Sequence, residues 1–152
     1  MELVLLTGIP ASGKSTFCRE RFYASHVRLN LDMLRTRRRE WLLVTACLAA
    51  KAPFVVDNTN LTRAERARYI EPAREAGFTV QGYLLQCAAS DAVRRNAQRE
   101  GKARVPNAAI FGASKRLELP DRSEGFLTLY SVRIDPESSR FVVEPYPCGT
   151  GH

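Results

Sequence analysis

The chain has 152 residues, 45% hydrophobic and 26% charged, the make-up of an ordinary globular protein of about one domain. No run approaches the roughly 18 to 20 apolar residues that span a bilayer, and the opening MELVLLTGIP lacks the basic region of a signal peptide, so a cytoplasmic protein with no membrane partner is expected. Lysine and arginine outnumber aspartate and glutamate by 23 to 16, a formal charge of +7 that suits a polyanionic partner or simply solubility.

Glu2 to Thr7 contain the apolar run Leu3 to Leu6, which stops at a turn rich in Gly, Pro and Ser, the pattern of a buried parallel strand. A helix is predicted from Lys14 to about Tyr23 and a short strand over Val27 to Asn30. Leu31 to Lys51 reads as one helix whose second half, Trp41, Leu42, Leu43, Ala46, Cys47 and Leu48, faces the core, with Pro53 ending it. Phe54 to Val56 form a third strand ending in Asp57, and Thr62 to Ala76 a basic amphipathic helix closed by Gly77. Phe78 to Gln86 read as a fourth strand, Ser90 as the cap of a helix reaching about Glu100, and Pro106 as the start of another reaching about Glu118. After Pro120 the character changes: Phe126 to Ile134 and Arg140 to Glu144 are two predicted strands joined by a turn at Asp135 to Ser139. The expectation is one α/β domain over residues 1–152, with a mainly parallel sheet, helices on both faces and a binding site at the carboxyl ends of the strands. Cys18, Cys47, Cys87 and Cys148 form no CxxC pair and are expected to be reduced and mostly buried.

Gly8-Ile9-Pro10-Ala11-Ser12-Gly13-Lys14-Ser15 fits GxxxxGK[ST] between a predicted strand and a predicted helix, the context that motif requires. The two glycines let successive N–H groups aim at phosphate oxygens, and the following helix adds the positive end of its dipole. Lys14 then bridges the β- and γ-phosphates of ATP or another NTP, and Ser15 supplies one hydroxyl to Mg²⁺. Such a loop serves kinases, motors and switches alike.

A kinase also needs an acceptor site, a carboxylate to take the hydroxyl proton, and cations around the transferring group. Asp32 follows the second strand at the carboxyl edge of the sheet; it is either that carboxylate or a helix N-terminal acid held by the dipole. Arg35 lies one turn further along the same predicted helix face. Asp57, in Val55-Val56-Asp57-Asn58-Thr59-Asn60, either holds the water shell of magnesium or shapes the turn, and the loop upstream favours the metal. Arg94, Arg95, Arg99, Lys102 and Arg104 crowd a stretch suited to a lid over ATP, in which Arg95 and Arg99, spaced i, i+4, share a face.

In this order the segments resemble the 5′-hydroxyl polynucleotide kinase family of P-loop phosphotransferases, phage and animal end-healing kinases among them. The resemblance runs over Gly8 to Thr16, Asn30-Leu31-Asp32 with Arg35, Asp57-Asn58-Thr59-Asn60-Leu61, Arg95-Asn96 with Arg99, Val105-Pro106, Lys115 to Pro120 and Glu124-Gly125-Phe126. It implies a P-loop kinase-like three-layer α/β/α fold with a mainly parallel sheet and an arginine-bearing lid. By resemblance, Gly8 to Thr16 bind ATP, with Lys14 and Ser15 on the phosphates and Mg²⁺, Asp32 is the general base for the 5′-hydroxyl of DNA or RNA, and Arg35 holds the acceptor phosphate. Arg99 matches the lid arginine on the γ-phosphate side, Arg95 an ATP contact, and Asp57 an important acid of metal-water or structural role.

Two departures stand out. No DxDGT phosphatase motif occurs, so 3′-end removal is not expected of this chain and would fall to a separate phosphatase, beside a ligase. The acceptor region carries Arg35, Arg37, Arg38 and Arg39, which suit a phosphate backbone and a salt-sensitive affinity, with Trp41 and Phe111 read as core residues before base-stacking ones. Two other functions compete: a P-loop kinase for a small metabolite or nucleoside, and a nucleotide-dependent nucleic-acid binding module.

Overall fold

A computed structural model describes residues 1–146. Its strands are β1 (Glu2–Thr7), β2 (Val27–Leu29), β3 (Phe54–Val56), β4 (Thr79–Leu85), β5 (Thr128–Ile134) and β6 (Phe141–Pro145). They form one six-stranded sheet in the order β2-β3-β1-β4-β5-β6, parallel except for β6, which turns back against β5. The helices are α1 (Lys14–Phe22), α2 (Leu31–Leu34), α3 (Arg37–Ala50), α4 (Arg63–Glu75), α5 (Ala89–Ala97) and α6 (Asn107–Arg116).

Both faces of β1 are buried, which explains its unbroken apolar run. Leu3 and Leu5 point to one side and join Val44, Cys47, Tyr69, Ile70 and Ala73 from α3 and α4; Val4 and Leu6 point to the other and join Phe17, Cys18 and Phe22 of α1. A third cluster links the loop residues Ile9 and Ala11 to Leu61, Ala92 of α5, and Ile110 and Ala113 of α6. The expected mixed α/β architecture, with a mostly parallel sheet and helices on both faces, is therefore present.

The predicted helix over 31–51 is broken. Arg35 adopts a left-handed backbone with φ of 79°, and Thr36 caps a new helix by accepting from the N–H of Arg39 at 3.1 Å. Restarting at Arg37 turns Glu40, Val44 and Cys47 inward, at i, i+4 and i+7. Trp41, Leu42 and Leu43 consequently face solvent, 46%, 56% and 39% exposed, against the expectation that they line the core. Phe111 on α6, also read as core, is 49% exposed.

Helix α5 stops at Ala97 rather than near Glu100, because buried Asn96 gives its side chain to Val105, donating to the carbonyl at 2.6 Å and accepting from the N–H at 3.0 Å. Arg99 thus lies past the helix, and Arg95 and Arg99 do not share a helical face. Ser90 sits inside the first turn, and the N-cap is Ala88 without a side-chain bond.

The stretch after Pro120 completes the sheet. Glu124, in a 3-10 turn at Arg122–Glu124, receives fully buried Arg66 at 2.8 and 3.1 Å, and Phe126 packs over Gly82. Arg66 also donates to the carbonyls of Asn60 and Leu61, tying α4 to the β3–α4 connection. Cys18, Cys47 and Cys87 are free thiols, the first two buried; Cys148 lies outside the described residues. Among the described residues no helix is long and apolar enough to cross a membrane.

Candidate active site

Gly8 to Gly13 connect β1 to α1 at the carboxyl edge of the sheet. Gly8 fits only without a side chain, since a Cβ there would stand 2.8 Å from Ser12 Oγ, and Gly13 has a φ of 98°. The N–H of Gly8 anchors the loop by donating to the carbonyl of Thr59 at 3.0 Å. Helix α1 has no acidic residue in its first turn and no side-chain cap, so its opening N–H groups are not taken by a cap and suit an anion. Ile9 and Ala11 pack into the cluster with Ala92 of α5 and Ile110 and Ala113 of α6, which fastens the loop to those helices.

Lys14 folds back over this loop. Its Nζ donates to the carbonyls of Gly8 and Ile9 at 2.9 and 2.8 Å. Burial lowers its pKa to about 8, opposed by the charge of Asp57 and reinforced by that of Arg99; Cys87 and Asp32 also act on it. Asp32 and Asp57, remote from this loop in sequence, follow β2 and β3 at the same carboxyl edge of the sheet.

Asp57 follows β3, with its N–H on the carbonyl of Leu29 at 2.8 Å, and is 1% exposed. Its Oδ2 accepts from Ser15 Oγ at 3.1 Å and from Arg28 Nε at 2.9 Å, while its Oδ1 is buried with no hydrogen-bond partner among the described residues. A buried carboxylate oxygen without a partner, next to a serine hydroxyl at a phosphate loop, is an oxygen donor set that suits magnesium, which keeps most of its shell for water and phosphate. Among the described residues no cluster of three His, Cys, Asp or Glu side chains forms, and Ser15 and Asp57 are the donors on offer here. Arg28, which the sequence reading passed over, spans both, its Nη2 reaching Ser15 Oγ at 3.5 Å. Its position two residues before Asn30 on the second strand was the available signal.

Asp32 sits in the first turn of α2, exposed and without a hydrogen bond or ion pair among the described residues. Asn30 caps this turn, accepting from Met33 N at 2.9 Å and donating to the Asp57 carbonyl at 2.6 Å. Arg35 ends α2 in its left-handed conformation and is also exposed, so it does not stand on a helical face with Asp32. Arg37 is spent on Glu40 and Tyr69, and Arg39 on the Leu34 carbonyl, leaving Arg35 and Arg38 without a side-chain partner among the described residues. Across the loop Arg95 reaches Cys87 Sγ at 3.6 Å, and Arg99 donates to the Ala103 carbonyl at 3.3 Å. Burial pushes the Cys87 thiol up, and Arg95 and Lys14 pull it back.

A phosphate loop at the end of a central parallel strand, with an acid after the neighbouring strand, defines a kinase-like P-loop domain. The profile of a family described as AAA domain matches residues 3–120, and the chain belongs to that family.

The motif-level resemblance to polynucleotide kinases also stands. The chain is 29% identical over 135 residues to a bifunctional polynucleotide phosphatase/kinase of Schizosaccharomyces pombe, covering 86% of this chain and 33% of that protein. It therefore spans about a third of that relative's length. Three solved structures share the fold. Kti12 of Chaetomium thermophilum in complex with ADP-AlF3 matches with a TM-score of 0.64 and 18% identity over 90% of this chain and 91% of that one. A gluconokinase of Sinorhizobium meliloti 1021 matches at 0.58 and 20%, over 87% and 82%. A chain of the Pnkp1/Rnl/Hen1 RNA repair complex matches at 0.58 and 22%, over 76% and 43%.

Proposed function

We propose that the chain transfers the γ-phosphate of ATP, with Mg²⁺, to the 5′-hydroxyl end of DNA or RNA. The observation that carries this reading is the convergence at one sheet edge of three parts: a phosphate loop, the Oδ1 oxygen of Asp57 beside Ser15 and the exposed carboxylate of Asp32, neither of the last two with a hydrogen-bond partner among the described residues. The similarity to the fission-yeast polynucleotide phosphatase/kinase supports the choice of acceptor.

Gly8 to Thr16 cradle the phosphates, and Lys14 leaves the loop carbonyls to meet the β- and γ-oxygens. Ser15 and Asp57 would hold a magnesium ion, which when bound would neutralise charge on those oxygens. Asp32 accepts the proton of the 5′-hydroxyl as the new O–P bond forms, the bridging P–O bond to ADP breaks, and ADP leaves with the bond's electron pair. Arg99 and Lys14 stabilise charge on the transferring group, with Arg99 and Arg95 in the lid over ATP, while Arg35 holds the acceptor's phosphate. The 5′-phosphate so made is the end that a ligase consumes.

The test is label transfer from γ-labelled ATP to matched oligonucleotides ending in a 5′-hydroxyl or a 5′-phosphate, with Asp32→Asn as control. Label on the hydroxyl end alone, reduced about 10² to 10⁴-fold in the variant, is expected. ATP binding without labelling of any RNA, DNA or duplex end overturns the acceptor. Small alcohols and nucleosides in the same assay reveal a metabolite kinase, and oligonucleotide binding with no transfer to anything reveals a binding module.

A further inference from the structure

Asp32 stands on a helix of four residues, too short to hold itself together, since one turn bears the full cost of nucleation and gains little propagation. Its shape is imposed from outside. Two of its N–H groups are taken by side chains: Met33 N by Asn30 and Leu31 N by Asn58 Oδ1, the latter at 2.8 Å. Asn58 is itself oriented by Glu40, whose Oε2 accepts from Asn58 Nδ2 at 2.8 Å.

Glu40 is 2% exposed in an otherwise apolar stripe of α3, where an aliphatic side chain would pack at no desolvation cost. Its other oxygen accepts from Tyr69 Oη at 2.7 Å and Arg37 Nη1 at 3.0 Å. Burial, then the hydrogen bond to Glu40, holds the Tyr69 hydroxyl up at about 12, so it remains a donor at any ordinary pH. A carboxylate only accepts, so it forces the amide of Asn58 to present Nδ2 inward and Oδ1 outward to Leu31. With the amide flipped, two N–H groups would oppose each other and the first turn of α2 would lose its anchor.

We propose that Glu40 is a positioning residue for the acceptor site, fixing the orientation of Asn58 and through it the helix that presents Asp32. This rests on the reading of Asp32 as the base. Two variants separate it from a purely structural role. Glu40→Gln keeps the shape but lets the Asn58 amide turn over. The double variant Glu40→Gln with Asn58→Asp reverses the bond's polarity, restoring a donor–acceptor pair while Oδ1 still accepts from Leu31.

Two readouts are followed together: steady-state transfer to a 5′-hydroxyl oligonucleotide, and hydrogen exchange of the Leu31 amide by NMR. In E40Q, kcat is expected to fall about tenfold with KM for ATP unchanged, and Leu31 exchange to quicken about tenfold; the double variant recovers both to within about threefold of wild type. Tyr69→Phe removes the bond to Glu40 and the longer one that Asn58 Nδ2 donates to Tyr69 Oη at 3.3 Å, but leaves the Glu40–Asn58 bond at 2.8 Å and the Asn58–Leu31 link, so it should lower the melting temperature without either change. Unaltered Leu31 exchange in E40Q, failure of the double variant to recover, or an equal loss of kcat in Y69F each overturns the proposal. If E40Q does not fold, the double variant against wild type decides by the same two readouts. A wild-type protein that labels no acceptor removes the phosphotransfer reading instead, and Leu31 exchange then still judges the control of α2 by Glu40.

Discussion

Nucleotide binding should be accompanied by proton uptake on the alkaline side of neutrality. Free Lys14 is enclosed by the loop, and burial brings its pKa from 10.5 to about 8. Phosphate oxygens at the ammonium favour its charged form and return the pKa toward its ordinary range. Binding of ADP should then take up about 0.1 proton at pH 7, about half at pH 8 and about 0.9 at pH 9, and weaken about tenfold from pH 7 to pH 9. Calorimetry in buffers of different ionisation enthalpy measures the uptake directly, without metal. The same shift affects folding. Between pH 8 and 10.5 the unfolded chain holds a proton on Lys14 that the folded one has released, so this group makes stability rise with pH, by about 3 kcal/mol across the window. Cys18 acts oppositely: burial raises it from 9.0 to about 11, so the folded state keeps a proton that the unfolded one loses, and stability falls over that range. The contribution of Lys14 is therefore read as wild type minus Lys14→Met. Absence of proton uptake at pH 8 and 9 would refute the argument, because it would mean that the free loop already holds a fully charged ammonium.

Asp57→Asn should abolish the extra thermal protection that Mg²⁺ gives to the ADP complex while leaving metal-free ADP binding within about twofold; a surviving magnesium increment in differential scanning fluorimetry counts against the donor set. Arg38→Ala, at an exposed arginine without a partner among the described residues, should lower the slope of log affinity against log salt for oligonucleotides by about one, measured by fluorescence anisotropy. An unchanged slope removes Arg38 from the phosphate contacts. Arg66→Met strands buried Glu124 and should cost about 3–5 kcal/mol in urea denaturation; a loss under about 1 kcal/mol would show that the pair contributes little.

The first third of the site was legible because its signals are local. The apolar run Leu3 to Leu6, the glycines at 8 and 13 and the lysine after them encode strand, loop and helix within fifteen residues, and Asp57 ends its strand where the pattern placed it. The acceptor side was harder, for reasons that reside in tertiary contacts. Nothing in the run from Leu31 to Lys51 announces a left-handed arginine at position 35; Thr36 supplies a cap, but threonine also sits inside helices. Once the break shifts the phase, the inward stripe begins with Glu40, a carboxylate that hydropathy alone assigns to water, and Trp41 goes out. The same holds for Asn96, whose burial ends α5 early and could be inferred only by knowing that Val105 comes back to meet it.

Gly82 has a further meaning for how this chain is divided. A methyl group there would stand 2.6 Å from the ring of Phe126 and 2.7 Å from Leu129, so the later residues occupy the room that the central strand leaves vacant. The match to the AAA domain family ends at residue 120, six residues before that ring. A boundary drawn at the end of the match would cut through a packed body: β4 would become a naked edge, the trench above Gly82 would open to water, and Arg66 would lose its carboxylate. Even Tyr146 is still stitched in, its N–H on the carbonyl of Leu129 at 2.8 Å. Any fusion, truncation or exchange of this unit therefore finds its first safe seam beyond that tyrosine, and sequence matching alone would have placed it some twenty-five residues too early.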